Sequence, residues 1–181
     1  MKRYLTAALI AFGLLSMGGR RGPDAGSASL PTTAVPETLT DEQLMWRARQ
    51  FHGHLEPWLT LGIVMGQYAV ERLGGQKYYK LNATVETDGL APHVSILDGL
   101  QFSTGCTVGN RNLTVVRPSR SRAPIRVEFV GSRGAGDSVT LEVLPSIYPK
   151  CEAWTRSGED EKVVFKRVYH MPVNQLFREA K

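Results

Sequence analysis

The stretch FHGHLEPW, residues 51–58, places two imidazoles and a carboxylate at alternate positions: His52, His54 and Glu56. Neutral imidazole nitrogens suit zinc, nickel, copper or iron, and a carboxylate oxygen completes a mixed nitrogen and oxygen donor set. Histidines two residues apart diverge on a helix, so both face one ion only where the backbone curls. Gly53, between them, permits that curl. Glu56 has a second reading, as an acid at the amino end of a helix opened by Pro57, where negative charge is favoured. On spacing alone His-x-His also arises by chance, so both readings stand. The chain has no H-E-x-x-H, no G-x-S-x-G and no phosphate-binding loop, and the spacing therefore names no reaction class.

The elements that position these residues follow from capping and periodicity. Thr40 with Gln43 makes a capping box, and Leu44, Ala48 and Phe51 recur at helical spacing, which predicts a helix over 41–51 that runs into the histidines. A second helix starts at Pro57, carries Leu61, Val64, Met65 and Tyr68, and ends at Gly74-Gly75. Gly62 and Gly66, four apart on one face, admit the close approach of another backbone. KLNATVET (80–87) alternates as a strand, and VSILDGLQFST (94–104) reads as a helix closed by Gly105, with Cys106 just beyond it. LTVV (113–116), IRVEFV (125–130) and SVTLEVL (138–144) alternate between turns. KVVFKRVY (162–169) reads as a fifth strand, with His170 at its end. Helices early and strands late predict an α+β fold, helices packed on a mostly antiparallel sheet in a single domain.

With 181 residues, 42% hydrophobic and 22% charged, the chain has room for one core plus some non-globular sequence. Lys2 and Arg3 precede a mostly apolar run from Tyr4 to Met17, shorter than the roughly 20 residues of a membrane span and patterned as a secretory signal. Arg20 and Arg21 follow that run rather than precede it, so the pattern is not twin-arginine. Residues 1–28 are expected to be a signal peptide, cleaved after Ala28 or kept as an amino-terminal anchor, and 29–39 a disordered linker before a core domain at 40–181. The protein is accordingly expected to be exported, periplasmic or extracellular, with no membrane association beyond the signal segment.

Residues 1–28 hold four of the 22 basic side chains and one of the 17 acidic ones, which leaves 18 against 16 and a formal charge of +2. That balance gives no nucleic-acid footprint. RPSRSR (117–122) reads as a solvated basic loop. In an exported protein the two cysteines, Cys106 and Cys151, make a disulfide the default expectation.

FHGHLEPWLTLG resembles the FHGHxCPG…G motif of the FmdE-type domain family, which takes its name from formylmethanofuran dehydrogenase. LDGLQFSTGCTVGNRNL (97–113) is similar to that family's second block, built around T-G-C-T-x-G-(K/N)-x-N, and MPVNQLF (171–177) to the segment that commonly closes the core. The similarity covers roughly residues 44–178. It implies an α+β core, an intertwined homodimer and a pocket in which the motif histidines and cysteines hold a metal. His52 and His54 fall on the motif histidines and Cys106 on the cysteine of T-G-C-T. Asp98, Gln101, Thr104, Asn110 and Asn112 fall on polar positions of the second block.

The departures are chemical. Glu56 stands where the family usually has cysteine, and Ser95 where a further cysteine is common. Thiolates are soft and redox-active, whereas imidazole and carboxylate are harder and inert, so dithiol chemistry between positions 56 and 106 is excluded. The resemblance thus implies a site of His52, His54, Cys106 and Glu56 for a divalent metal, zinc above all. Glu56 is either a ligand or the catalytic base acting on water at the ion, and Asp98 and Gln101 orient the ligands. A metal-binding role with an unknown small molecule follows. The alternatives are a metal-assisted hydrolase or lyase using Glu56, and a non-catalytic remnant held by a Cys106–Cys151 disulfide. His93 is a candidate replacement ligand near the missing cysteine. YPKCEAW (148–154) looks like the first half of a zinc finger whose second cysteine pair is missing, so no appended finger is expected.

Overall fold

The computed structural model describes residues 39–118, 123–132 and 137–180. The signal and most of the linker expected above, and parts of the loops at 117–122 and 131–137, lie outside the described residues. Within them the chain forms helices α1 (Asp41–His52), α2 (Pro57–Arg72), α3 (Ile96–Thr104), α4 (Tyr148–Arg156) and α5 (Glu161–Tyr169). The strands are β1 (Leu81–Glu86), β2 (Leu113–Val116), β3 (Arg126–Gly131), β4 (Ser138–Val143) and β5 (Phe177–Glu179). This is a single α+β domain.

The strands form one sheet in the order β2-β1-β3-β4-β5. Its three pairs β1–β3, β3–β4 and β4–β5 are antiparallel. The β1–β2 pair is parallel, because α3 is the crossover between those strands. Alternation along the strands buries one face only: Leu81, Ala83 and Val85 of β1, Val127 and Phe129 of β3, and Val139, Leu141 and Val143 of β4 point into the core. Among the described residues no helix is long and apolar enough to cross a membrane.

Helix α2 lies at the centre. Trp58, Leu61, Val64 and Met65 join the cluster against the sheet. Leu59 and Ile63 join a second cluster with Leu44, Met45 and Ala48 of α1, Leu55, and Phe165 of α5. Burying such a helix almost all round requires neighbours that come very close, and glycines supply the space. A Cβ on Gly62 would overlap the carbonyl oxygen of Ile96, and one on Gly99 would overlap that of Leu59. The α2 and α3 backbones are therefore in direct contact, which sets Asp98, beside Gly99, near the start of α2.

One expectation needs correction, together with its consequence for His170. KVVFKRVY is not a strand but helix α5, capped at its start by Asp160, whose side chain accepts from the amide of Lys162. Its β-branched residues mimic strand composition, but the buried set is Val164, Phe165 and Val168, at helical spacing, while Val163 is exposed. His170 is accordingly the C-cap of α5, not a strand end. YPKCEAW, in turn, opens α4. Helices α4 and α5 thus lie between β4 and β5.

Candidate metal centre

The site begins where α1 ends. Thr40 accepts from the amide of Gln43, and the Gln43 side chain accepts from the amide of Thr40, so the capping box read from the sequence is complete. His52 is the last residue of α1, and Gly53 ends the helix at φ +100°, donating its amide to Arg49 O at 2.7 Å. That left-handed turn supplies the curl the two histidines need.

Glu56 is the N-cap of α2 with an extended backbone, yet its side chain makes no capping hydrogen bond. Its carbonyl accepts from the amide and the hydroxyl of Thr60 at 3.1 and 2.8 Å, which leaves the carboxylate free to turn back toward the histidines. Glu56 Oε1 lies 3.4 Å from His52 Nε2, and Oε2 lies 3.9 Å from His54 Nε2. The two rings are 4.8 Å apart between centroids. One ligand atom from each of His52, His54 and Glu56 lies within 4.8 Å of the other two.

Asp98 fixes the chemistry of His52. Asp98 Oδ2 stands 2.7 Å from His52 Nδ1, and Oδ1 accepts from Gln101 Nε2 at 3.2 Å. A carboxylate only accepts, so Nδ1 carries the proton, and in the neutral ring Nε2 presents its lone pair to Glu56. Both His52 Nε2 and Glu56 Oε1 are buried and lack a hydrogen-bond partner among the described residues; they are near one another, and with the ring neutral both are acceptors. Two acceptors facing each other inside a protein are costly unless a cation sits between them.

The arrangement fits a metal ion. Zinc bonds of about 2.0–2.1 Å in tetrahedral geometry place donors roughly 3.4 Å apart, and the His52–Glu56 separation already has that value. His54, whose side chain is 59% exposed, has room to move inward by the remainder. The Asp98–His52 contact is the carboxylate–histidine arrangement that orients metal ligands.

Cys106 is not brought to this group. Its thiol is fully buried and donates to Leu81 O at 3.3 Å. Asp98 flanks the histidine site near the start of α3, whereas Cys106 lies beyond the far end of that helix, past the Gly105 cap, and is not among the grouped donors His52, His54 and Glu56. Burial raises the thiol pKa of Cys106. The T-G-C-T-V-G-N-R-N block instead ties chain segments together. Gly105 adopts φ +73° and packs under the Tyr78 ring. Asn112 donates to Tyr78 O and Leu81 O at 2.7 and 3.0 Å and accepts from the Thr107 amide at 2.9 Å. Cys106 and Cys151 are both free thiols in the core. The Cys151 thiol is pushed up to about 12, first by burial and then by the negative charge of Glu56.

His93 is likewise elsewhere. It lies 3.7 Å from Asp88 Oδ2 and packs edge-on against Trp58 and Tyr148, with centroids 4.7 and 5.3 Å away. His170 pairs with Asp41 at 2.7 Å, across the seam between α5 and α1. Sequence reasoning passed over one residue beside the site, Glu161, which accepts from the amide of Leu55 at 2.9 Å. No local pattern marks it, since its partner is 106 residues away.

Residues 51–178 match the family described as FmdE, molybdenum formylmethanofuran dehydrogenase operon. The chain belongs to the FmdE family. That match takes in both histidines, Glu56, Asp98 and the closing segment of the FmdE-type domain, so the site lies wholly inside the family's own region. The chain is also 40% identical over 74 residues to a protein of Archaeoglobus fulgidus described as a probable S-adenosyl-L-methionine-binding protein. That match covers 39% of this chain and 20% of the relative, so the FmdE-type chain spans about a fifth of that protein's length.

Proposed function

We propose that this FmdE-type domain binds one divalent cation, zinc, through His52 Nε2, His54 Nε2 and the Glu56 carboxylate, with Asp98 and Gln101 holding His52 in its ligating tautomer. One observation carries the reading: His52 Nε2 and Glu56 Oε1, both buried and both acceptors when the ring is neutral, face each other at 3.4 Å without a hydrogen bond. The donor set supports a borderline metal of the zinc type, since imidazole and carboxylate are harder than the thiolates that the family resemblance implies at position 56. When bound, such an ion supplies Lewis acidity. Three protein donors with exposed His54 on one side leave coordination positions for a small molecule, as in catalytic rather than structural zinc sites.

The signal-like amino-terminal pattern supports export to the periplasm or outside the cell, and the family resemblance supports a homodimer. The S-adenosyl-L-methionine binding named for the Archaeoglobus protein is not carried over, because the shared segment is a fifth of that protein.

The test is elemental analysis of untagged protein beside its Glu56→Gln variant. The expectation is about one zinc per chain in the first, and at least a tenfold loss of zinc affinity in the second. Less than about a tenth of a metal per chain, with no uptake on adding zinc, refutes the reading. A variant that keeps its metal but loses turnover of a small-molecule substrate makes Glu56 a base rather than a ligand.

A further inference from the structure

The loop that carries all three donors has one amide tied to a side chain from the far end of the sequence. Leu55, between His54 and Glu56, donates its N–H to Glu161 Oε2 at 2.9 Å. The other oxygen of the same carboxylate pairs with Arg49, one turn before His52 on α1. Glu161 is the first residue of α5, so it bridges the end of α1 and the middle of the loop from a third helix. The Leu55 side chain is buried in the cluster shared by α1, α2 and Phe165 of α5. Leu55 is therefore held at both its side chain and its amide, and the residues on either side of it are held with it.

Resting on the metal reading above, we propose that Glu161 is a positioning residue for the metal centre, setting the curl of the loop so that His54 and Glu56 face His52. What matters is an acceptor atom at the reach of a glutamate side chain, not the negative charge. Two ion pairs further along the same α1–α5 seam, Lys166 with Glu42 and His170 with Asp41, lie toward the opposite end of α1 and do not touch the loop.

This makes an unusual ordering testable. Glu161→Gln keeps a carbonyl oxygen at the same reach and removes the charge. Glu161→Asp keeps the charge, suits a first helical turn equally well, and withdraws the oxygens by about 1.5 Å, one carbon–carbon bond. Arg49→Met removes the ion pair and leaves the acceptor. Zinc affinity of the full-length protein is measured by competition with a chromophoric chelator, cobalt(II) absorption reports ligand geometry, and melting in EDTA reports the stability of the metal-free fold.

The expected result is that Glu161→Asp loses at least about tenfold in zinc affinity, the loss typical of residues that orient metal ligands, with weakened tetrahedral cobalt bands, while Glu161→Gln and Arg49→Met stay within about threefold of the parent. The reverse order, a loss in Glu161→Gln but not in Glu161→Asp, makes the role electrostatic and overturns the proposal. So does an unchanged Glu161→Asp, or losses that merely follow the melting temperatures. If the parent protein itself takes up neither zinc nor cobalt, it is the metal reading that fails, and this proposal falls with it.

Discussion

The close contact between α2 and α3 makes Gly99 a point where stability and the metal centre respond together. In Gly99→Ala the new methyl would overlap Leu59 O and lie 2.7 Å from Ile63 N and 2.9 Å from Gly62 C. These are backbone atoms of a packed helix, so no rotamer change relieves the overlap. Ordinary contact at about 3.5 Å requires α3 to move off α2 by roughly 1.4 Å at Leu59 O. Overpacking of this kind costs about 3 kcal/mol, and the better helix propensity of alanine returns about 1 kcal/mol, a net loss of about 2 kcal/mol. For a domain of this size that lowers Tm by about 8 °C.

The same displacement carries Asp98. Its 2.7 Å contact with His52 Nδ1 would open to about 4 Å, beyond hydrogen-bonding distance. Zinc affinity should then fall about tenfold or more. The assays are thermal unfolding in EDTA and zinc competition, with Gly109→Ala as control. A Cβ there meets only Thr107 Oγ1 at 3.9 Å, so the control should leave both quantities unchanged. A Gly99→Ala protein that melts with the parent and binds zinc equally would refute the backbone-contact account of how Asp98 is placed.

Both thiols should be silent in the folded protein. With Cys151 pushed up to about 12 from an ordinary 9.0, its thiolate fraction near neutral pH falls about a thousandfold, and the thiolate is the reacting species. Ellman's reagent should titrate neither cysteine until denaturant is added and then both, whereas rapid native reaction of either would contradict the burial argument. A third prediction concerns pH. The carboxyl of Glu179 is held below its usual range, first by the Tyr68 hydroxyl and then by Arg72. A depressed folded-state pKa contributes stability that is present above the unfolded value and is lost as pH falls through the folded one. Tyr68→Phe should therefore melt below the parent at pH 7, and the two should converge below about pH 4 as Glu179 becomes protonated; a constant gap across that range would show that Glu179 is not the partner that matters.

Much of the site was legible because it is local. The Thr40–Gln43 box, the stop at Gly53 and the restart at Pro57 each depend on residues within one helical turn, and they produce the curl that joins His52, His54 and Glu56. Strands β1, β3 and β4 were equally readable, since a sheet buried on one face imposes alternation, whereas in β2 only Leu113 is buried. Helix α5 was misread for a local reason as well: valines at 163, 164 and 168 imitate a strand, and only the burial of Val164, Phe165 and Val168, at helical spacing, selects the helical period.

Residue types and spacing alone thus put three candidate donors, His52, His54 and Glu56, on one segment five residues long. Tertiary structure decided what surrounds them. It set Asp98 on His52 across 46 residues and Glu161 on Leu55 across 106, and it left Cys106 at the far end of α3, occupied with Leu81. Such pairings follow from how closely α2 and α3 approach and where α5 docks, and these depend on glycine clearances and buried clusters that bring distant segments together rather than on any neighbour in the chain.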